Sequence, residues 1–327
     1  MALGEYDCEF FERELASFVP DRVFDAHCHI WPANVDLFPE AGLTGGVDHH
    51  RYRQLLDDLH PGRQTVGAMF LSFGRPANPS ERDLVNEWVG RQAAADPGNR
   101  GLFFVRPDDD PQWVCTQVQR LGLHGLKCYH TFAAVEPTWE AEIPDYLPES
   151  LVQIAHEQGW VITLHMVRSR GVADPSNIHW IRHYCKTYPA MKLVLAHAAR
   201  GFQPAHNLEG LEDLVGLDNL YFDTSVNCEP IAHQVILRRF GHRRLMYGTD
   251  LPISHLRGRH VCAADRFLWL YENNPVWSEN SGDVRPVLIG LEHLRALKWA
   301  CWSERLSDSE VEDIFCNNAA RLLGVTD

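Results

Sequence analysis

Residues 23–31, VFDAHCHIW, place two histidines two positions apart at the end of a strongly apolar segment. Side chains two apart on a β-strand project from the same face, so His27 and His29 would point the same way. With 18 histidines in 327 residues, about one such pair is expected by chance. The pair therefore indicates a metal site only if other segments bring further ligands to the same place.

Seven further apolar segments follow, and the sequence predicts eight strands in all. They are expected at residues 22–27, 65–72, 101–105, 125–130, 161–166, 192–197, 220–225 and 244–250. Several intervening segments have the capping residues, early prolines and terminal glycines of helices. These helices are predicted at residues 80–96, 148–159, 175–189 and 230–241. Strands that alternate with helices in this way predict an α/β fold, specifically a (β/α)8 TIM barrel with a parallel sheet.

The chain is predicted to form a single domain over residues 1–327. Its barrel core would span residues 21–250, followed by a loop and helical cap at 251–306 and a C-terminal helix at 307–324. Two segments are longer than a simple repeat needs, namely residues 30–64 and the cap. Because loops at the carboxyl ends of barrel strands form the active site, both segments are expected to cover it.

Composition limits the partners of the protein. Lys and Arg number 30 and Asp and Glu 44, giving a formal net charge of −14, which argues against nucleic acid or an anionic membrane as a general partner. There is neither a run of about 18 apolar residues nor the pattern of a secretory signal at the N-terminus. The nine cysteines include no C-x-x-C pair, so no disulfide framework or thiolate metal site is indicated. A cytoplasmic enzyme is expected.

Three more predicted strands end in a potential metal ligand. His165, His197 and Asp250 follow the apolar segments VITL, LVLA and LMYGT, and the carboxyl ends of barrel strands converge on one mouth. Packing alone would favour Val or Ile at such positions. Imidazole and carboxylate ligands suit zinc, with manganese, iron or cobalt as alternatives. The sequence therefore predicts a divalent metal site formed by strands one, five, six and eight.

These segments resemble the amidohydrolase superfamily, and within it the amidohydrolase-related branch, which contains hydrolases, lactonases and metal-dependent decarboxylases. The resemblance is carried by the motifs FDAHCHIW, GLKCYH, VITLH, YPAMKLVLAHAARG, NLYFDTS, GHRRLMYGTDLP and NNAARLLG, which extend from Asp25 to the C-terminal helix. It implies a TIM barrel with one catalytic divalent metal. Zinc is expected, manganese is the alternative, and a second metal is not expected.

Carried over by position, the resemblance implies that His27, His29 and His165 bind the metal and that Asp250 completes the ligand set. Asp250 would also accept a proton from the attacking water and later donate it, acting as a general base. His197 would either join a second metal or polarise the substrate oxygen and stabilise its developing charge. The implied reaction is hydrolysis by metal-activated water.

Two further polar residues leave alternatives open. Lys127, at the end of the fourth predicted strand, could be carboxylated and bridge two metals, contact the substrate or a ligand, or be structural. Asp25 shares the strand face of the two histidines and could orient a ligand or form a buried structural hydrogen bond. Two equivalents of metal per chain would favour the bridging lysine.

Arginines near the predicted strand ends suggest an anionic substrate. Arg106 follows the third predicted strand, and Arg168 and Arg200 follow the fifth and sixth. In an acidic protein, cationic side chains at the barrel mouth favour capture of a carboxylate. The alternative is that they form salt bridges to loop acids such as Asp174 or Asp223.

The sequence thus predicts a metal-dependent hydrolase of a small, carboxylate-bearing lactone, cyclic ester or cyclic amide. A non-oxidative decarboxylase of an unsaturated or aromatic acid is the first alternative, and a non-catalytic ligand-binding barrel is the second. A homodimer is an open expectation. Four late tryptophans could line a pocket for a ring-shaped substrate or pack in the core. They are Trp269, Trp277, Trp299 and Trp302.

Overall fold

Parallel strands alternate with helices along the chain, which confirms the predicted α/β fold. The structure, a computed structural model, describes residues 4–35, 45–72, 78–279 and 284–325. The parallel strands are β1 (Arg22–His29), β2 (Gln64–Leu71), β3 (Arg100–Gly101), β4 (Phe103–Phe104), β5 (Gly125–Cys128), β6 (Val161–Leu164), β7 (Lys192–Leu195), β8 (Leu220–Asp223) and β9 (Leu245–Met246). All eight predicted strands are present among them, because β3 and β4 share the third predicted segment.

Helices lie before, between and after the strands, and those that were predicted begin and end close to the predicted positions. Those of at least ten residues are Glu5–Glu14, His49–Leu59, Pro79–Ala93, Pro111–Arg120, Glu149–Gln158, Pro175–Thr187, Pro230–Phe240 and Ile289–Ser303. Proline occupies the first turn of several of them, where its missing N–H costs no hydrogen bond. The predicted C-terminal helix is divided into Asp308–Glu312, a π-helical turn at Asp313–Asn317, and Asn318–Leu323.

Hydrogen bonds connect the strands in chain order. Strands β1, β2 and β3 form one parallel sheet, and β4 to β9 form another. The backbone N–H of Leu102 donates to Phe70 O at 3.0 Å and links the two sheets. On the other side, the N–H of Ala26 donates to Tyr247 O at 2.8 Å. A parallel bridge joins Cys28 to Leu251, so the chain just after β9 pairs with β1.

Most strands end one to four residues earlier than predicted, and after two of them, β7 and β9, the chain turns sharply near a polar residue. After β7, His197, Ala198 and Ala199 all have positive φ, at 58°, 51° and 58°. After β9, Asp250 has a φ of 53°. Residues other than glycine rarely adopt this left-handed conformation, and those that do cluster at functional sites. The turns direct His197 and Asp250 away from the sheet and into the space above the strand ends.

The opposite ends of the strands are filled by apolar side chains. Phe24, Met69, Val161, Val194 and Met246 form one buried cluster. Ala319, Leu322 and Leu323 of the C-terminal helix pack against it. The apolar end of the sheet is therefore covered by this helix, and the polar residues collect at the other end.

The segment after β9 contains an antiparallel hairpin, with strands β10 (Gly258–Ala263) and β11 (Arg266–Tyr271). The hairpin lies in the predicted cap. The helix Ile289–Ser303 follows it in the chain, and one side of this helix is buried. Of the other predicted covering segment, residues 36–44 lie outside the described residues.

Two simpler findings complete the fold. Within the described ranges, no helix is long and apolar enough to cross a membrane. All nine cysteines are free thiols.

Candidate metal centre

A cavity of about 210 Å³ opens at the carboxyl ends of the strands. Its polar lining comes from six predicted site residues, one of which is Arg200. The other five are His29, Lys127, His165, His197 and Asp250. Its apolar lining is largely aromatic and comprises Tyr129, Trp139, Phe202, Val226, Ile253, Phe267, Trp269 and Tyr271. The cavity thus has an ionisable end and an aromatic wall.

Three possible ligand atoms meet at the ionisable end. Nε2 of His27 lies 3.3 Å from Nε2 of His29. Oδ1 of Asp250 lies 3.4 Å from the first of these nitrogens and 3.1 Å from the second. Ligands of a tetrahedral zinc ion with bonds of about 2.1 Å are separated by about 3.4 Å. The spacing of these three atoms therefore fits one divalent cation.

The second nitrogen of each histidine is held by a hydrogen bond behind the site. Nδ1 of His27 lies 2.8 Å from a carboxylate oxygen of Asp223, and Nδ1 of His29 lies 3.0 Å from Ser72 O. Both partners are acceptors, so each Nδ1 carries the proton and each Nε2 keeps its lone pair. Gly248 packs against His27, where an added Cβ would come within 2.7 Å of the histidine Cβ.

His197 lies between the three-atom cluster and His165. Its Nδ1 is 3.8 Å from Oδ2 of Asp250, and its Nε2 is 3.1 Å from Nδ1 of His165. Possible ligand atoms of His27, His197 and Asp250 all lie within 4.8 Å of one another. His197 therefore belongs to the group of closely spaced ligand atoms. His165 lies on the far side of His197, and its ring centre is 4.3 Å from that of Tyr129.

Burial dominates the electrostatics of the site. It lowers the pKa of both His27 and His29, and that of His197 to about 4, so these rings are neutral near pH 7. Burial alone would raise the pKa of Asp250, but His197 together with His29 and His27 holds it below its usual value. An ionised carboxylate beside neutral imidazoles is the protonation state in which these groups bind a metal.

Lys127 lies at the end of β5 and lines the cavity. Burial lowers the pKa of its ammonium group, and the carboxylates of Asp223 and Asp250 oppose that shift. No ion pair to Lys127 is found among the described residues. Its position is compatible with a contact to substrate or to a ligand, as well as with the bridging role.

Asp25 connects β1 to the segment that carries Asp250. One of its carboxylate oxygens accepts the backbone N–H groups of His27 and Thr249, at 3.1 Å and 2.8 Å. The other accepts the hydroxyl groups of Thr249 and Tyr52, at 2.6 Å and 3.2 Å. Burial raises the pKa of Asp25 to about 6. These contacts are with backbone and hydroxyl donors, so the geometry matches the structural alternative.

Of the three predicted arginines, only Arg200 reaches the cavity. Nε of Arg106 pairs with Asp108 at 2.9 Å. Nε of Arg168 pairs with Asp174 at 3.0 Å. The expectation that both line the pocket is not met, because neighbouring carboxylates hold them outside it. Arg168 thus forms the salt bridge to Asp174 that was expected as the alternative to substrate binding.

The four late tryptophans divide in the same way. Trp269 lines the cavity, while Trp299 and Trp302 are 48% and 61% exposed on an outer helix. Trp277 is partly buried and donates its indole N–H to Tyr271 O at 2.8 Å. One of the four therefore belongs to the site.

Sequence reasoning missed two polar residues that contact the site histidines. Asp223 accepts from His27, as described above, and Ser225 Oγ lies 2.9 Å from Nδ1 of His197. Asp223 is the last residue of β8 and Ser225 follows two positions later, both in the motif YFDTS. The signal that singled out His165 and His197, a polar residue at a strand end, was therefore present here too.

Comparison with solved structures gives related folds at low sequence identity. An amidohydrolase from Burkholderia multivorans with bound zinc has a TM-score of 0.59 and 16% identity, with 93% of this chain and 99% of that chain covered. A proposed 2-pyrone-4,6-dicarboxylic acid hydrolase from Pseudomonas putida has a TM-score of 0.57 and 17% identity, with 94% and 100% covered. A 5-carboxyvanillate decarboxylase from Sphingomonas paucimobilis has a TM-score of 0.55 and 12% identity, with the same coverage.

At these identities the structural similarity shows the fold alone. The search of curated proteins gave no significant match. A sequence profile described as amidohydrolase, however, matches residues 24–325, which is most of the chain. The match covers every motif on which the predicted resemblance rests. The protein therefore belongs to the amidohydrolase family.

Proposed function

We propose that the protein is a metal-dependent hydrolase of a small ring compound that carries a carboxylate. The observation that carries this proposal is the meeting of two imidazole nitrogens and one carboxylate oxygen within 3.1–3.4 Å. They would lie at the mouth of a closed (β/α)8 barrel. Closure is supported by the hydrogen bond from Ala26 to Tyr247 and the bridge from Cys28 to Leu251.

One divalent ion, with zinc as the first candidate, would be held by His27, His29 and Asp250, with His165 or His197 completing the set. Nitrogen and carboxylate donors suit zinc, and a relative of the same fold is described with bound zinc. Bound there, the ion would supply Lewis acidity toward water or a substrate oxygen.

Asp250 is the proposed proton acceptor. Its Oδ1 faces the two histidines of β1, and its Oδ2 faces His197 at 3.8 Å. The side chain is 5% exposed and lines the cavity, so a water or substrate in the cavity can reach it. An ionised carboxylate at this place can take a proton in one step and return it in the next.

The hydrogen bonds of His197 favour ligation or proton acceptance over stabilisation of a developing oxyanion. Its Nδ1 lies 3.1 Å from the backbone oxygen of Ser225, an acceptor, so Nδ1 carries the proton. The other nitrogen then presents a lone pair near His165. This arrangement supports ligation of the one proposed ion by His197, whereas the resemblance implied a ligand role for His197 only toward a second metal.

Arg200 and Lys127 are the proposed binding groups for the substrate carboxylate. The Arg200 guanidinium lies 5.4 Å from the Trp139 ring centre and 5.9 Å from that of Phe267. It donates to Met166 O at 3.0 Å, and no described carboxylate pairs with it. A cation held this way, without a carboxylate partner of its own, can bind a carboxylate with two parallel hydrogen bonds.

The aromatic wall favours a flat ring as the rest of the substrate. On β11, alternate residues Phe267, Trp269 and Tyr271 line the cavity. The ring centres of Phe202 and Phe267 lie 4.7 Å apart, so Phe202 extends this aromatic wall. Aromatic surfaces bind planar rings by stacking in addition to burial. The proposed lactones and cyclic amides and the aromatic acids of the alternative all meet this requirement.

Decarboxylation is the second candidate, because the same residues could deliver a proton to carbon. Asp250 or His197 would then protonate the carbon from which CO2 leaves. The presence of a decarboxylase among proteins of similar fold is consistent with this reaction.

Isotope incorporation separates the candidates. Zinc-loaded protein would be incubated with a set of ring lactones, cyclic amides and aromatic acids in water enriched in ¹⁸O and, separately, in D2O. Hydrolysis places ¹⁸O in a product carboxyl group, whereas decarboxylation releases CO2 and places deuterium on carbon. If no compound gives either product although at least one of them binds, the result would favour the non-catalytic alternative. Asp250→Asn is the matched inactive control, expected to lose about 10²–10⁴-fold in rate.

A further inference from the structure

Asp223 is a fully buried carboxylate at the end of β8, and its two oxygens accept hydrogen bonds from different groups. Oδ2 accepts from Nδ1 of His27 at 2.8 Å. Oδ1 accepts the backbone N–H of His197 at 2.9 Å, together with the N–H and hydroxyl of Ser225 at 3.1 Å and 2.6 Å. One side chain therefore contacts the segments that carry two of the site histidines.

The first contact determines where His27 carries its proton. A carboxylate oxygen can only accept, so the proton of the neutral ring is on Nδ1 and the lone pair is on Nε2. That lone pair lies where Nε2 of His29 and Oδ1 of Asp250 also point. The opposite tautomer would present an N–H there and could not bind a cation.

The second contact holds the turn that carries His197. The backbone of this residue has a φ of 58°, which is unfavourable for a residue with a side chain. The hydrogen bond from its N–H to Oδ1 of Asp223 satisfies a donor that the end of β7 leaves outside the sheet. The carboxylate thus fixes both the tautomer of one histidine and the backbone position of another.

We infer that Asp223 is a positioning residue that holds His27 in its metal-binding tautomer and anchors the turn at His197. This inference rests on the proposed function, because it treats His27 as a metal ligand. Hydrogen-bond partners of ligating histidines generally contribute about 10–100-fold to metal affinity or activity.

Asp223→Asn tests the inference with little change in shape. Three N–H and O–H donors face Oδ1, so the amide oxygen must take that place and the amide NH2 must face His27. The NH2 group would then donate to Nδ1 and move the proton of the ring to Nε2. We expect zinc affinity to fall about 10–100-fold, measured by competition with a chromogenic chelator. An unchanged affinity in folded protein would overturn the inference.

Asp7→Asn is the matched control for loss of a buried charge. Asp7 is fully buried and accepts from Arg257 and from the backbone N–H of Leu288, away from the cavity. Its variant should lose thermal stability while keeping zinc affinity. A similar loss of affinity in both variants would mean that destabilisation, and not the His27 tautomer, causes it, which would also overturn the inference.

A measurement on metal-free protein separates this inference from the proposed function. Histidine ¹⁵N shifts report which ring nitrogen carries the proton, and comparison with His27→Gln identifies the signal. The wild-type ring should be protonated at Nδ1 and the Asp223→Asn ring at Nε2. A wild-type ring protonated at Nε2 would overturn the inference, even if the variant fails to fold. If instead the expected tautomers are found but wild-type protein binds no zinc, the metal proposal fails and the role of Asp223 in setting the tautomer stands.

Discussion

Arg200 and Arg168 form a matched pair of residues, because both follow predicted strands and only one reaches the cavity. Arg200 lies between two aromatic rings of the cavity wall. Arg168 pairs with Asp174 and donates to Glu140 O outside it. Their sequence contexts gave no reason to separate them, since the pairing of Arg168 depends on a carboxylate that caps the next helix.

Replacing Arg200 by glutamine should weaken substrate binding more than catalysis. A hydrogen bond to a charged group contributes about 1.5–3 kcal/mol, so KM for a carboxylate-bearing substrate should rise about 10- to 150-fold, with kcat changed much less. Arg168→Gln is the control and should leave KM nearly unchanged. Steady-state kinetics of the two variants decide the matter. An equal rise in KM for both, or none for Arg200→Gln, would remove Arg200 from the binding site.

The ligand residues themselves could be predicted only in part. Strand-end position singled out His27, His29, His165, His197 and Asp250, which the structure brings close together. The relative positions of the His165 and His197 rings could not be derived, because they depend on the geometry of the turn after β7 and on the contact between Ser225 and His197. For this reason the structure groups His197, and not His165, with His27 and Asp250.

At the scale of elements, strand β11 of the hairpin supplies three aromatic residues of the cavity wall. Side chains on a strand alternate between its faces, so Phe267 and Trp269 face the cavity while Leu268 points outward and is 44% exposed. Sequence analysis placed a covering segment here. It could not predict a hairpin, because the segment lacks a strong two-residue turn signal and its register depends on tertiary contacts.

Trp269→Ala should reduce kcat/KM for a ring-shaped substrate by at least about 10-fold, since both stacking and buried apolar area are lost. Leu268→Ala, one position away on the opposite face of the strand, is the matched control and should change it little. Rates are measured with the substrate that the isotope screen identifies. If the outward variant lowers kcat/KM as much as the inward one, the hairpin acts through stability and not as the substrate wall.

The strands were the most predictable elements, since each is a short apolar run with polar ends. Their boundaries were less predictable. β7 stops at Leu195 and not at 197, because four residues with positive φ begin at His197, two positions later. None of these four is a glycine, so the sequence HAAR carries no local signal for a left-handed turn.

For the whole molecule, buried histidines predict that stability falls in mild acid. Burial lowers the pKa of His60 and His260 to about 3 and of His233 and His255 to about 4. Between pH 6.5 and these values, the unfolded chain binds protons that the folded protein does not. The free energy of unfolding therefore falls as the pH falls, by about 2 kcal/mol per histidine at pH 5.

Urea unfolding of metal-free protein at pH 7 and at pH 5 measures this effect. His255 donates to Leu55 O at 2.8 Å, and glutamine can replace that donor without titrating. His255→Gln should therefore show a smaller loss of stability between the two pH values than the wild-type protein. An identical loss in both, or a wild-type protein that is more stable at pH 5, would contradict the assignment of these rings as buried and neutral.

For the whole molecule, the alternation of strands and helices was enough to predict an α/β fold with parallel sheets, because parallel strands need helical connections. It was not enough to predict which residues connect β1 to the chain after β9. The contacts of Ala26 and Cys28 with the chain after β9 join residues more than 200 positions apart, and no local pattern reports such pairing.

The central claim is that distant strand ends hold one divalent cation together. It is tested most directly by anomalous diffraction, at the zinc absorption edge, from crystals of zinc-loaded protein. We expect a single strong peak with His27, His29 and Asp250 as ligands. A peak at another place in the chain, or a zinc-loaded protein in which these three side chains lie far apart, would contradict the account.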